Sequence, residues 1–212
     1  MLAGTGLRYE VAGRTVLDAV DVQAGAGRLL AVCGPSGAGK SSLLALLGGL
    51  LAPSAGSVSL AGGPVRVGDA AVRRRIAIVL QGYGLATALT ARENVAIVLQ
   101  TRGRSREEVR DRSAAALDAV GLTEVADHLI EDMSGGQQQR VAVARALAAA
   151  PEVLLADEPT SELDAENRER VIDRLAELAR AGSIIVIASH DPDVVERCDD
   201  VLELDAGKVV AA

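Results

Sequence analysis

The chain has no phenylalanine and no tryptophan, and only two tyrosines, Tyr9 and Tyr83. Any core must therefore be assembled from Leu, Ile, Val and Ala, within an apolar content of 49% over 212 residues. That length suits one domain with a substantial core. Lysine is scarce too: Lys40 and Lys208 stand alone in a chain that otherwise uses arginine. The two cysteines, Cys33 and Cys198, are far apart and belong to no Cys-x-x-Cys pair. This suggests neither a disulfide framework nor a thiolate metal site, and Cys33, inside an apolar run, reads as a small core residue suited to a reducing cytosol. A positive balance is also missing. The formal charge of −7 argues against nucleic-acid binding as the main role. The triplet Arg73-Arg74-Arg75 reads as a solvated helix end rather than a basic patch. The most hydrophobic stretch, residues 43–52, is too short to cross a bilayer, and the N-terminus has no charged-then-apolar targeting pattern. Work at a membrane would need another chain as anchor.

What is present is an alternation of apolar runs with helical patterns, which predicts an α/β protein with a mostly parallel sheet. Residues 2–22 read as short antiparallel strands with a turn at Ala12-Gly13-Arg14. Runs at 29–33, 76–80, 152–156 and 184–188 read as buried strands, and 57–60, 201–204 and 209–210 as further strands. Helices are predicted over residues 40–50 and 137–149, the latter stopped before Pro151. Another follows Asp164 as its cap, with Val171, Ile172, Leu175 and Leu178 as its apolar stripe. Asp191-Pro192 opens a short helix. Residues 81–134 differ: they are more charged and mostly helical. One helix there has both ends marked, by the Ser105/Glu108 capping box and by Gly121. This predicts one domain over 1–212, with an α/β core and N-terminal β subdomain from 1–80 and 135–212, and a helical insertion over about 81–134.

Residues 34–41 read GPSGAGKS, between a predicted strand and a predicted helix. The spacing matches G-x-x-x-x-G-K-[ST]. Gly34, Gly37 and Gly39 let backbone N–H groups turn inward around phosphate oxygens; Pro35, Ser36, Ala38 and Ser42 complete the cradle. The helix N-terminus adds partial positive charge, Lys40 supplies a point charge, and the Ser41 hydroxyl can ligate Mg²⁺. The run VLLADE at 153–158 delivers Asp157 and Glu158 at a strand's carboxyl end, where α/β ligands bind. Asp157 suits a metal and Glu158 suits proton acceptance from water. Ser134, Gly135, Gly136 and Gln137 lead straight into a helix and form a second candidate anion nest. Two such nests mean either two anions per chain or one nucleotide shared between two chains. His190, past the 184–188 strand, can reach a γ-phosphate, and Gln81, past the 76–80 strand, can touch metal and water through a neutral amide. Tyr9 can stack on adenine. His128 reads as structural or solvated.

Taken in order, Tyr9, GPSGAGKS, Gln81, MSGGQQQR at 133–140, LLADEPTSELD at 154–164 and His190 resemble the ATP-binding-cassette family across nearly the whole chain. The resemblance implies a P-loop ATPase fold, ATP and Mg²⁺ as ligand and cofactor, and a head-to-tail pair with two ATP molecules between its members. It implies that each ATP lies on the phosphate loop of one subunit and under Ser134, Gly135 and Gln137 of the other. By the same carry-over Ser41, Gln81 and Asp157 serve the metal, Glu158, His190 and Gln81 the hydrolysis, and Asp164 the contact between subunits. The implied partner is a membrane permease met through residues 83–98, with a copy of itself or a second cassette beside it, on the inner face of the cell membrane. No nucleic acid is expected. A regulatory ATPase that signals to a membrane protein is the alternative.

Within the family, Ala156-Asp157-Glu158-Pro159-Thr160 and ALTARENV at 88–95 are similar to the lipoprotein-release, macrolide-export and cell-division subgroup. Departures are Met133 for the usual Leu, Leu80 for Phe, Ser42 for Thr, and Ser161-Glu162 where that subgroup has Gly and Asn. The stretch 62–76 is also short for the family.

Overall fold

Two sheets of different character carry the chain in the computed structural model, which describes residues 1–211. β1 (Leu2–Val11) and β2 (Arg14–Ala24) form a long hairpin, followed by β3 (Leu29–Cys33) and α1 (Lys40–Leu47). Then come β4 (Ala55–Leu60), β5 (Gly63–Pro64), α2 (Ala70–Arg75) and β6 (Ile76–Val79). α3 (Ala91–Thr101), α4 (Arg106–Ala119) and α5 (Gly135–Ala148) are consecutive helices. The chain closes with β7 (Val153–Asp157), α6 (Ala165–Arg180), β8 (Ile184–Ala188), α7 (Pro192–Val195), β9 (Asp200–Asp205) and β10 (Lys208–Ala211).

The larger sheet has the order β10-β9-β3-β8-β7-β6 and is parallel except for the β9/β10 hairpin. β7 and β8 are apolar along almost their whole length because both of their faces are covered. Their side chains alternate between two cores, as strand geometry requires. Leu154, Ala156, Ile185 and Ile187 join the core built with the helices α3 to α6. Val153, Leu155, Ile184 and Val186 join the core built with α1 and the smaller sheet. With no large rings available, branched aliphatics and alanines fill both. Parallel pairing brings the carboxyl ends of β3, β8 and β7 to one edge, so the segments after Cys33, Asp157 and Ala188 emerge side by side.

The smaller sheet is antiparallel, β2-β1-β4-β5. The sequence suggests short strands over 2–22. The structure has two long ones whose ladder is interrupted rather than ended, with Gly6 at φ 55 and Ala19 at φ 54 near the register shifts.

The helical part has well-marked starts. Thr90/Glu93 and Ser105/Glu108 form reciprocal capping boxes on α3 and α4. α5 starts at Gly135 rather than at residue 137, because Ser134 and Gln137 make a third such box. α1 stops at Leu47, short of residue 50, and the N–H groups of Leu50 and Leu51 fold back on the Ala45 carbonyl at 2.9 and 3.2 Å. On α6 the buried stripe is Val171, Ile172, Leu175 and Ala179, while Leu178 is half-buried one position off the stripe. Arg73 to Arg75 form the last turn of α2, and Arg75 pairs with Glu152 at 2.8 Å. Among the described residues no helix is long and apolar enough to cross a membrane.

Candidate active site

The turn from β3 into α1 is forced by packing as well as by backbone shape. Gly34 lies at φ 134, and a side chain there would run into the Leu204 carbonyl. Gly39, at φ 104, caps α1, and a Cβ would come within 2.7 Å of Leu17. Ala38 is buried and its carbonyl accepts from the Gly207 N–H at 3.1 Å, which ties the loop to the β9/β10 turn. Lys40, the first residue of α1, is 9% exposed, and its ammonium spans its own loop, donating to the carbonyls of Gly34 at 2.8 Å and Pro35 at 3.1 Å.

Above this loop is a hollow of about 600 Å³, walled by Pro35, Ser36, Gly37, Gly39, Lys40, Ser41 and Ser42 on one side. Gln81, Asp157, Glu158, Ser161 and His190 form the other side. Asp157 ends β7 and is buried, which pushes its carboxyl up; the nearby Ser41 hydroxyl and Lys40 charge act the other way, and Glu158 adds to the rise. The Ser41 hydroxyl, the Asp157 carboxylate and the Gln81 amide are an all-oxygen donor set beside phosphate-binding geometry. That chemistry fits Mg²⁺, which takes few protein ligands and keeps the rest for water and phosphate.

Glu158 turns sharply off the strand at φ 48, a left-handed conformation that costs about 1–3 kcal/mol for a residue with a side chain. The turn is held by its N–H, which donates to the Ala188 carbonyl at 2.9 Å. It aims the carboxylate along the edge toward β8. There Oε1 meets His190 Nδ1 at 2.6 Å and Oε2 accepts from the Ser189 hydroxyl at 3.2 Å. A carboxylate only accepts, so Nδ1 carries the proton and Nε2 is left for a further partner. The imidazole is 69% exposed while the Glu158 side chain is 12% exposed.

The glutamine-bearing loop is fastened from α5. Arg145 donates to the carbonyls of Tyr83 at 2.8 Å and Gly84 at 2.6 Å, and burial pushes its guanidinium pKa down. Tyr83, at φ 58, has its phenol pushed up to about 12, by burial first and then by the nearby Glu162 carboxylate.

Ser134, Gly135, Gly136 and Gln137 do not line the hollow. They form the exposed to half-buried first turn of α5, where the Ser134 hydroxyl accepts from Gln137 N–H at 3.3 Å and the Gln137 amide oxygen from Ser134 N–H at 3.0 Å. Helix geometry leaves the first N–H groups, those of Gly135 and Gly136, without intrahelical acceptors. The Glu162 carboxylate stands so close to Gly135 that a Cβ there would collide with it. Asp164 does not reach the hollow either. It caps α6, accepting from Asn167 N–H at 2.8 Å, and that backbone bond holds its carboxyl low.

Tyr9 is half-buried against the second core, paired across the ladder with Leu17, and lines neither this hollow nor the one beside it. That neighbouring hollow, which shares Val16 and Gly37 as walls with the first, is edged by Val11, Arg14 and Thr15. Sequence reasoning passes over these residues, and also over Ser189, Arg145 and Gln139. Gln139, on α5 and 2% exposed, donates to the Glu158 carbonyl at 2.7 Å and to the Ser161 hydroxyl at 3.1 Å, and accepts from Glu162 N–H at 3.0 Å. The available signal was a third consecutive glutamine shortly before the apolar run of α5.

Residues 17–161 match the model of the family described as ABC transporter. A methionine import ATP-binding protein, MetN, of Caulobacter vibrioides is 45% identical over 208 residues, covering 95% of this chain and 63% of that protein. The lipoprotein-releasing system ATP-binding protein LolD of Anaeromyxobacter dehalogenans is 44% identical over 203 residues, covering 92% and 85%. The chain thus spans less than two thirds of the methionine relative. Among solved structures, the ATP-binding cassette MJ0796, described as a dimer in a post-hydrolysis state with ADP and Pi, superposes with TM-score 0.92 at 32% identity, over 100% of this chain and 97% of that one.

Proposed function

The chain belongs to the ABC transporter family, and from that premise we propose that it is an ATP-hydrolysing subunit of a membrane transporter, acting as a head-to-tail pair. The observation that carries this reading is the separation of the two nests. Lys40, Ser41, Asp157, Glu158 and His190 share one hollow, and the Ser134 turn lies outside it. A nucleotide on the phosphate loop meets a Ser134 nest only if a second copy supplies it.

In this reading the loop N–H groups, the α1 terminus and Lys40 hold the β- and γ-phosphates. Ser41, Asp157 and Gln81 hold Mg²⁺, which when bound neutralises phosphate charge. Glu158 takes a proton from the attacking water, and the exposed His190 ring, held through Nδ1, donates from a protonated Nε2 to the γ-phosphate as an imidazolium. Asp164 contacts the facing subunit. Pair closure is the work-producing step and hydrolysis reopens the pair. The adenine sits over β1/β2, beside the Val11 to Val16 turn. A permease meets the loop and helix over 83–98 and keeps the chain on the inner face of the membrane. The permease selects the cargo, since relatives named for methionine import and for lipoprotein release share this cassette at nearly equal identity.

The test is Glu158→Gln with ATP and Mg²⁺. It should lower turnover by about 10²–10⁴-fold and trap a dimer on size-exclusion chromatography. A variant that stays monomeric at saturating ATP, or hydrolyses normally, overturns the reading.

A further inference from the structure

Gln139 sits five residues into α5 from the nest residue Ser134, about 7.5 Å along a rigid helix. It is 2% exposed, and beyond Arg140 the helix continues through Val141, Ala142, Val143 and Ala144, all buried and apolar. An amide in such a place is costly unless every polar atom is paired. All three of its hydrogen bonds reach a single short segment, residues 158–162. The Ser161 hydroxyl also donates to the Glu158 carbonyl, at 3.3 Å. One carbonyl, that of a strained residue, is therefore held by two side chains, while the N–H on its other side is held by β8. A general base works only when its carboxylate is held close to the reacting geometry.

Resting on the head-to-tail reading above, we propose that Gln139 is a positioning residue that couples the two nucleotide sites. The nest at the start of α5 engages the nucleotide held by the partner subunit. The same helix, through Gln139, sets the Glu158 turn that acts on the nucleotide of its own phosphate loop. Engagement at one site thereby aligns the base at the other.

Gln139→Met keeps the volume and removes all three bonds. Nucleotide binding to the single chain should stay within about twofold, while kcat falls about 10–100-fold. The dependence of rate on ATP should change from sigmoidal to hyperbolic. Ser161→Ala, at an exposed position, should move both readouts in the same direction by less. In the Glu158→Gln background, ATP should still pair the Gln139→Met chain. Unchanged kcat and sigmoidicity in Gln139→Met, or a hyperbolic wild-type curve, overturns the coupling. So does a loss of turnover that only tracks a fall in Tm and in nucleotide binding, since that marks a packing role. Failure of Glu158→Gln itself to pair in ATP strikes the head-to-tail reading instead.

Discussion

The turn at 34–41 and the turn at 134–137 use the same physics, small residues leading backbone N–H groups into a helix start, yet their surroundings differ completely. The first is enclosed by a cation, hydroxyls, two carboxylates and an imidazole. The second has its own cap, an exposed serine and one carboxylate, that of Glu162, pressed against Gly135. In the proposed reading, the first turn has its own chemistry for phosphate and metal, while the second is half a site whose counterpart a second molecule would bring. The contrast also separates what each turn should do when damaged.

Of substitutions within the two turns, the largest effect should come from Lys40→Ala, which removes the ammonium from the first nest. Nucleotide binding by the single chain should fall sharply and kcat/KM by about 10²–10³-fold, read by fluorescent-nucleotide titration and steady-state hydrolysis. Next is Ser134→Ala. Single-chain nucleotide binding should be unchanged while turnover falls by about 10²-fold, and loss of the cap should lower stability by about 1 kcal/mol in urea unfolding. If Ser134→Ala weakens nucleotide binding by the monomer as much as Lys40→Ala does, the two turns are not different in kind.

A smaller effect is expected from the glycines of the second nest, which should be unequal. A Cβ at Gly135 meets the end of the Glu162 side chain, which can swing away. At Gly136 it lies 2.7 Å from the Glu162 backbone carbonyl, which cannot. Gly136→Ala should cost about 1–3 kcal/mol and Gly135→Ala clearly less, measured by denaturant unfolding. The smallest effect belongs to Arg75→Ala, remote from both turns. Arg75 holds the Glu152 carboxyl low. That pair adds stability above the unfolded-state pKa of Glu152, and the addition is lost as pH falls through the lower folded value. Turnover should be unchanged, and only the acid side of the stability profile should shift.

Much of this was written locally. Five-residue apolar runs announce buried parallel strands, and the phosphate loop and acidic strand end are contiguous motifs, so their convergence on one sheet edge follows from parallel pairing alone. Helix starts were less legible, because Ser134 serves both as cap and as nest and pulls α5 two residues earlier than the apolar pattern suggests. Leu178 misled because alanine at 179, one position on, fits the closer contact. Gln139 left no signal but a run of three glutamines: its partners lie 19, 22 and 23 residues away, two of them backbone atoms that no local pattern encodes. Tyr9 shows the same limit, since a ring on a strand does not reveal which face it takes.

The most direct measurement is a structure of the Glu158→Gln chain with ATP and Mg²⁺. The account predicts a symmetric pair with each γ-phosphate within hydrogen-bond reach of Lys40 on one protomer and of the partner's first α5 turn, hydroxyl included. A closed pair in which that turn faces solvent, or the same protomer's own nucleotide, would contradict it.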